Sequence, residues 1–256
     1  MNRNYYKFFL NALSLSKLEL LQRYKRSILG LWWSLFNPLI TIVIYFFAFS
    51  QLIIFEKYSE DEYLIYLISG VIIVNFSVQA MISVAETFAV KINLITRIKV
   101  DPFLLGAGVL FSSLVNFIIT IFPLTLLVFF SHMLSIKFLY VLFLILCLSF
   151  FLYSIGLLLA LFFTLFDDIK AMIRICFSFA PFVTPVFYSL DQLPKSFATF
   201  VLLNPLTSFL SLFRWTIGFN TALEPFIFIH LIICLIFASI CLIIFRRKWG
   251  RLVKSL

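Results

Sequence analysis

Five stretches of this chain contain no Asp, Glu, Lys or Arg: residues 27–55, 63–85, 102–136, 138–166 and 225–245. Each exceeds the ~20 residues that a helix needs to cross ~30 Å of hydrocarbon. A soluble fold has no surface on which to place runs of this length; a bilayer accommodates them. Only 12% of the 256 residues are charged, half the roughly 25% of an ordinary soluble domain, so the chain reads as an all-α polytopic membrane protein.

Two further regions are apolar but imperfect. Residues 175–190 are uncharged over only 16 positions and include Pro181 and Pro185, and residues 196–213 are interrupted at Asn204-Pro205. Proline removes a hydrogen bond from a helix ladder and biases the preceding residue away from helical geometry. The spans expected are 32–55, 63–84, 104–130, 138–165, 170–188 and 226–245, the fifth completed by Arg174 snorkelling at the cytoplasmic boundary. Residues 196–213 are expected to form a re-entrant pair of short helices between spans five and six, hinged at Asn204-Pro205 and entering from outside. Broken backbone at membrane depth must be buried in protein or line a wet cavity. Arg214 and Trp215 would then close the pair as a snorkelling charge and an interfacial ring.

Charge sets the orientation. With six spans, the inner segments 1–30, 86–101, 167–174 and 246–256 hold 16 of the 20 Lys/Arg, and the outer ones hold Lys57, Lys137, Lys195 and Arg214. The positive-inside rule therefore puts both termini in the cytoplasm, and the +9 net charge marks membrane orientation rather than nucleic-acid binding. The first 26 residues scatter six Lys/Arg among apolar residues, unlike a cleavable signal. Tyr5–Leu21 sets Lys7, Asn11, Ser14 and Lys17 on one stripe and Phe9, Leu13 and Leu20 opposite, as expected of a helix lying in the inner interface. The chain thus reads as one transmembrane permease domain, with an interfacial helix in 1–30, six spans in 32–245 and a cytoplasmic tail in 246–256.

No catalytic constellation is present. His132 and His230 are far apart and lack the neighbours of a nucleophile or metal site, and the four cysteines lie in apolar runs as small hydrophobes. Asp167-Asp168 is the one adjacent acid pair at the inner end of a span, and it suits a helix start or a salt bridge. The chain has no G-x-x-x-x-G-K-[ST] phosphate loop, so ATP and Mg must act through a partner. It also has no charge at the middle of a span of the kind ion-coupled carriers use.

Three runs carry a resemblance: RYKRSILGLWW at 23–33, TPVFYSLDQLP at 184–194 and NPLTSFLSLFR at 204–214. In this order, with this length and span pattern, the chain resembles the permease subunits of ABC transporters that export O-antigen, capsule or teichoic acid. One departure is Asp167, where the family commonly has Arg before the Asp at 168. The resemblance implies a homodimer in the bacterial inner membrane. Two copies of a cytoplasmic ABC ATPase would dock on it, and a lipid-linked glycan would pass between the two permeases. It implies an ATPase-coupling segment at 91–102 with Asn93, Arg97, Lys99 and Asp101, and an outer gate with Asn204, Pro205 and Arg214. Trp32, Trp33, Tyr45, Phe187 and Tyr188 become candidates for an aromatic channel lining, since sugar C–H faces stack on rings; the same rings also suit an interfacial belt. An exporter of small hydrophobic compounds is the alternative within the class. An integral-membrane glycosyl- or acyltransferase would need the clustered carboxylates or His–acid pair that the sequence lacks.

On a cysteine-free background, single cysteines at Ser59 and Ser196 should react with an impermeant reagent in intact cells, whereas one at Ser255 should be protected. Labelling at 255 from outside overturns the six-span orientation.

Overall fold

The computed structural model describes residues 3–25, 27–49, 59–98, 100–131, 136–219 and 225–255. Its elements are α1 (Arg3–Tyr24), α2 (Trp33–Phe49), α3 (Glu60–Val90), α4 (Ile92–Ile98), α5 (Pro102–Phe130), α6 (Tyr140–Phe163), α7 (Asp167–Ser178), α8 (Ala180–Val183), α9 (Lys195–Leu202), α10 (Pro205–Thr216) and α11 (Pro225–Ser255). Single turns of 3-10 helix precede α2, α6 and α9. Among the described residues there is no strand.

Four helices are long and apolar enough to cross a membrane: α3, α5, α6 together with the turn before it, and α11. At 31 residues, α3 and α11 each run ~46 Å, well beyond the hydrocarbon thickness. The tail at 246–255 is therefore the continuation of the last helix, with Trp249 stacked on Phe245 and edge-on to Phe88. By contrast α2 has 17 residues, and the expected remainder of the first span lies outside the described residues.

The bundle is built around α3, the most enclosed of the long helices. It packs chiefly against α6 and α5. Small residues permit the close approach, as they do wherever membrane helices meet without a hydrophobic drive between them. A Cβ on Gly156 of α6 would lie 2.9 Å from Val84 Cβ and 3.2 Å from the Met81 carbonyl. Stability here is local and dense: Phe88, Phe151, Phe163, Phe209, Phe213 and Phe245 are all fully buried.

The N-terminal helix forms and packs on α5 through its small residues. Lys7, Asn11, Ser14 and Lys17 are exposed, as are Phe9 and Leu13 of the apolar stripe; the buried positions are Ala12 and Ser16. These small residues lie against Gly108 of α5, where a Cβ would stand 2.7 Å from Leu15 Cβ and 3.3 Å from the Ala12 carbonyl. Small side chains are what permit so close a helix crossing. The turn out of α1 explains two motif residues. Gly30 has φ +51°, a conformation that costs other residues dearly, and its N–H donates to Ser27 Oγ at 3.1 Å.

The fifth span departs furthest from expectation. Residues 170–188 are not one helix. α7 stops at Ser178, α8 adds a single turn that starts beside Pro181, and Thr184 is extended with ψ 141°. Pro185 forces that conformation on Thr184 by steric clash. Arg174 does not simply snorkel, for its guanidinium pairs with Glu86 of α3 at 2.6 Å.

Replacing Gly108 with valine should push α1 off α5. The measurable outcome is a fall in thermal midpoint in detergent of several degrees, with the substitution Gly250→Ala, where no atom lies within 4 Å, as the silent control.

Candidate functional site

Two places concentrate polar chemistry inside this apolar molecule. The first is a clasp between the non-helical segment after α8 and the bent pair α9–α10. Those two helices meet at 93°, and the bend is made by Asn204 and Pro205. Asn204 caps α10 by accepting from the Leu206 N–H at 3.1 Å, and Pro205 occupies the helix start, where a missing N–H costs nothing. The other end of the Asn204 amide donates to Thr184 Oγ1 at 2.9 Å. Thr207 Oγ1 donates back to the Val201 carbonyl at 2.7 Å and tightens the corner.

At the far end of α10 stands Arg214, expected at the membrane boundary but only 2% exposed. It does not snorkel. Its Nη1 donates to the Pro185 carbonyl at 2.6 Å, its Nη2 to Tyr66 and Val186 carbonyls at 3.0 and 3.1 Å, and its Nε to Ser69 Oγ at 3.3 Å. The guanidinium also sits over the Tyr66 ring, 3.3 Å from its centroid. The neighbouring Trp215 ring is covered instead by Lys137, whose Nζ lies over it at 4.8 Å.

The reason Arg214 is drawn inward is the segment it holds. Residues 184–188 form a non-helical turn in which the Thr184 carbonyl accepts from the Val186 N–H at 2.7 Å, so the carbonyls that follow have no helix partners, and lipid offers none. Arg214 takes Pro185 and Val186, Tyr66 Oη donates to Tyr188 O at 2.8 Å, and Tyr63 Oη reaches Phe187 O at 3.5 Å. Gly70 makes room for the arrangement, since a Cβ there would meet Arg214 Nη2 and Val186 Cγ1 at 2.9 Å.

The expected aromatic residues divide. Tyr45 packs edge-on to Phe187 at 4.7 Å and to Phe182 at 6.5 Å, and Phe187 is buried in the core. Tyr188 is half-buried, with its hydroxyl donating to Phe182 O. Trp32 and Trp33 are exposed. The expected coupling residues fall on or beside the short helix α4: Asn93 and Arg97 are exposed, Asp101 caps α5 by accepting from Phe103 N–H, and Lys99 lies outside the described residues. Lys91, at the head of that loop, pairs with Glu19 of α1, and Asp167 pairs with Lys170. His230 Nδ1 and Ser208 Oγ share a buried 2.7 Å hydrogen bond that ties α10 to α11; His132 lies outside the described residues.

The second place went unread in the sequence. A cavity of about 270 Å³ opens between α1, α2, α3 and α5. Its walls include Arg23, Trp33, Asn75, Gln79 and Asn116, with the rings of Phe76 and Phe117 tilted by 36° at 4.4 Å. Asn116 Oδ1 accepts from Ser34 Oγ at 3.1 Å and from Tyr24 Oη at 3.4 Å. Among the described residues no group of His, Cys, Asp or Glu could hold a metal.

The family model for the ABC-2 type transporter matches residues 11–217. This chain belongs to that family. The match runs from α1 through α10 and so takes in both the cavity and the clasp. ABC-2 chains are membrane components of transporters that work with an ABC ATPase. No curated protein matches the chain. The permease is therefore placed by its family, and the two polar centres are where its sequence departs from a lipid-facing bundle.

Replacing Arg214 with glutamine leaves several buried carbonyls without donors. Each charged hydrogen bond is worth about 1.5–3 kcal/mol, so a loss on the order of 3 kcal/mol is expected, read as a lower unfolding midpoint in detergent. Gly70→Ala should act in the same direction.

Proposed function

We propose that this ABC-2 permease exports a lipid-linked polysaccharide from the cytoplasm across the bacterial inner membrane. It works as a homodimer with two ABC ATPase chains and has both termini cytoplasmic. Six crossings deliver this orientation: α2, α3, α5, α6, α7–α8 with the segment after it, and α11. α9–α10 dips in from the outer side.

The observation that carries the reading is how the resembling motifs meet. TPVFYSLDQLP and NPLTSFLSLFR are joined through Asn204–Thr184 and through Arg214 to Pro185 and Val186. RYKRSILGLWW supplies Arg23, Tyr24 and Trp33 to the cavity. Runs far apart in sequence thus act as two assembled units, the clasp against residues 63–70 of α3 and the cavity against residues 72–79. The clasp supports an outer gate: α9–α10 is anchored to α3 and to the segment of span five, so a shift of either moves the bent pair. α4, with exposed Asn93 and Arg97, is the segment that seats in the ATPase. The Lys91–Glu19 pair at its base transmits movement to α1.

In the aromatic lining, Trp32, Trp33 and Tyr188 are the rings with surface to offer. Phe187 and Tyr45 support them from behind.

Charge reversal at both Arg97 and Lys99 should lower ATPase co-purification and ATP-driven glycan flux into inverted vesicles by at least fivefold, with insertion unchanged. Normal flux with normal ATPase binding overturns the coupling role. A wild-type complex that moves small hydrophobic compounds and no glycan overturns the substrate.

A further inference from the structure

We infer that the cavity between α1, α2, α3 and α5 is a headgroup site: it seats one sugar ring of a lipid-linked saccharide against its carboxamides, with the attached phosphate at Arg23. The inference rests on the export of a lipid-linked glycan proposed above and locates where that cargo is recognised.

Carboxamides are scarce in this permease and they converge. The helices α3, α5, α6 and α11 contain three Asn or Gln residues in all, Asn75, Gln79 and Asn116, and all three line this cavity. Asn37 of α2 adds a fourth. Polar side chains inside membrane helices are costly and are kept for packing bonds or for function. Packing does not account for these. Asn116 is 5% exposed, yet its Nδ2 has no partner among the described residues, although its Oδ1 accepts twice. A buried donor left open and lining a cavity is a site awaiting an acceptor.

The chemistry of the walls selects the occupant. A carboxamide offers a donor and an acceptor side by side, the pattern that adjacent sugar hydroxyls match. Trp33, Phe76 and Phe117 supply apolar faces for ring C–H groups. A hydrophobic compound would strand the amides. A multiply charged anion would find one cation in the wall, Arg23. The volume, just below the ~300–1,000 Å³ of sites for small ligands, suits a single ring rather than a chain.

The geometry gives the cavity a direction. Phe76 meets Phe117, and Phe88 approaches Gly106, so α3 and α5 run antiparallel. Gln79 is therefore level with Ser113 at one end, and Ile72 with Thr120 at the other, ~10 Å further on. Arg23 lies at the first end, its Nη2 reaching Ser83 Oγ at 3.4 Å. That is also the end where α1 crosses α5 at Gly108. In the proposed orientation it faces the cytoplasmic leaflet, where a lipid-linked saccharide presents its phosphate. The remaining donors of the Arg23 fork suit phosphate oxygens.

The test is equilibrium binding to the full-length permease in nanodiscs of phosphatidylethanolamine and phosphatidylglycerol, with polyprenyl-phosphate-linked glucose and plain polyprenyl phosphate as probes. Asn116→Leu and Gln79→Leu should each weaken the sugar probe at least tenfold and change the plain lipid less than twofold, whereas Arg23→Gln should weaken both. Asn116→Leu also removes an acceptor for Ser34 and Tyr24, so Gln79→Leu, at an exposed side chain, decides the matter if the first variant misfolds. Equal binding of the two probes by wild type, or an undiminished sugar preference in Gln79→Leu, overturns the headgroup site. If glycan flux into vesicles persists in either case, the export function stands without it. If wild type prefers the sugar probe and Gln79→Leu abolishes that preference, the site stands even where the flux assay fails.

Discussion

A buried guanidinium holds the least helical part of this permease together. Arg214 gathers carbonyls from two places, Tyr66 on α3 and Pro185 with Val186 in the turn after α8, and rests on the Tyr66 ring. A charge at membrane depth is expensive, and so is a run of backbone without a hydrogen-bonding partner. Each cost is offset by the other. The proline at 185 makes the break, the break exposes carbonyls, and the carbonyls solvate the charge. Gly70 has no side chain because this contact occupies the space. Tyr63, Tyr66 and the Asn204–Thr184 bond complete the satisfaction of a segment that no helix could continue through.

The rest of the bundle follows a simpler rule. Helices in lipid gain little from burying leucine, so close approach and van der Waals packing decide which faces meet. Gly108, Ala12 and Ser16 place α1 across α5, and Gly156 admits Val84. The crossing of α1 matters beyond packing, because it delivers Tyr24 and Arg23 to the wall of the polar cavity. The Gly30 turn then returns the chain so that Ser34 and Asn37 of α2 face the same space. Helix α1, the glycine turn and α2 form one device for building that wall.

The two polar centres stand in contrast. In the clasp each carbonyl from Thr184 to Tyr188 has a donor. In the cavity the bonding is incomplete, with Asn116 Nδ2 open and Gln79 exposed. Saturated networks position; unsaturated ones receive. His230, tied to Ser208 and stacked on Phe226, belongs to the first kind.

The sequence alone determined the membrane setting, the helical class and four of the long helices, because uncharged length is a one-dimensional property that lipid enforces residue by residue. It also determined the break at Asn204-Pro205, since proline chemistry is local. Tertiary structure decided what depends on which side chains meet. Arg214 in isolation looks like a boundary charge, and only the carbonyls released near Pro185 make its burial favourable. Asn75, Gln79 and Asn116 are scattered polar residues in apolar helices until α3 and α5 run antiparallel and bring them to one space. Phe9 touches α5 only at its edge, against Phe111, while the small residues Ala12 and Ser16 set the crossing at Gly108. In each case the deciding interaction joins residues dozens of positions apart, and no local pattern records it.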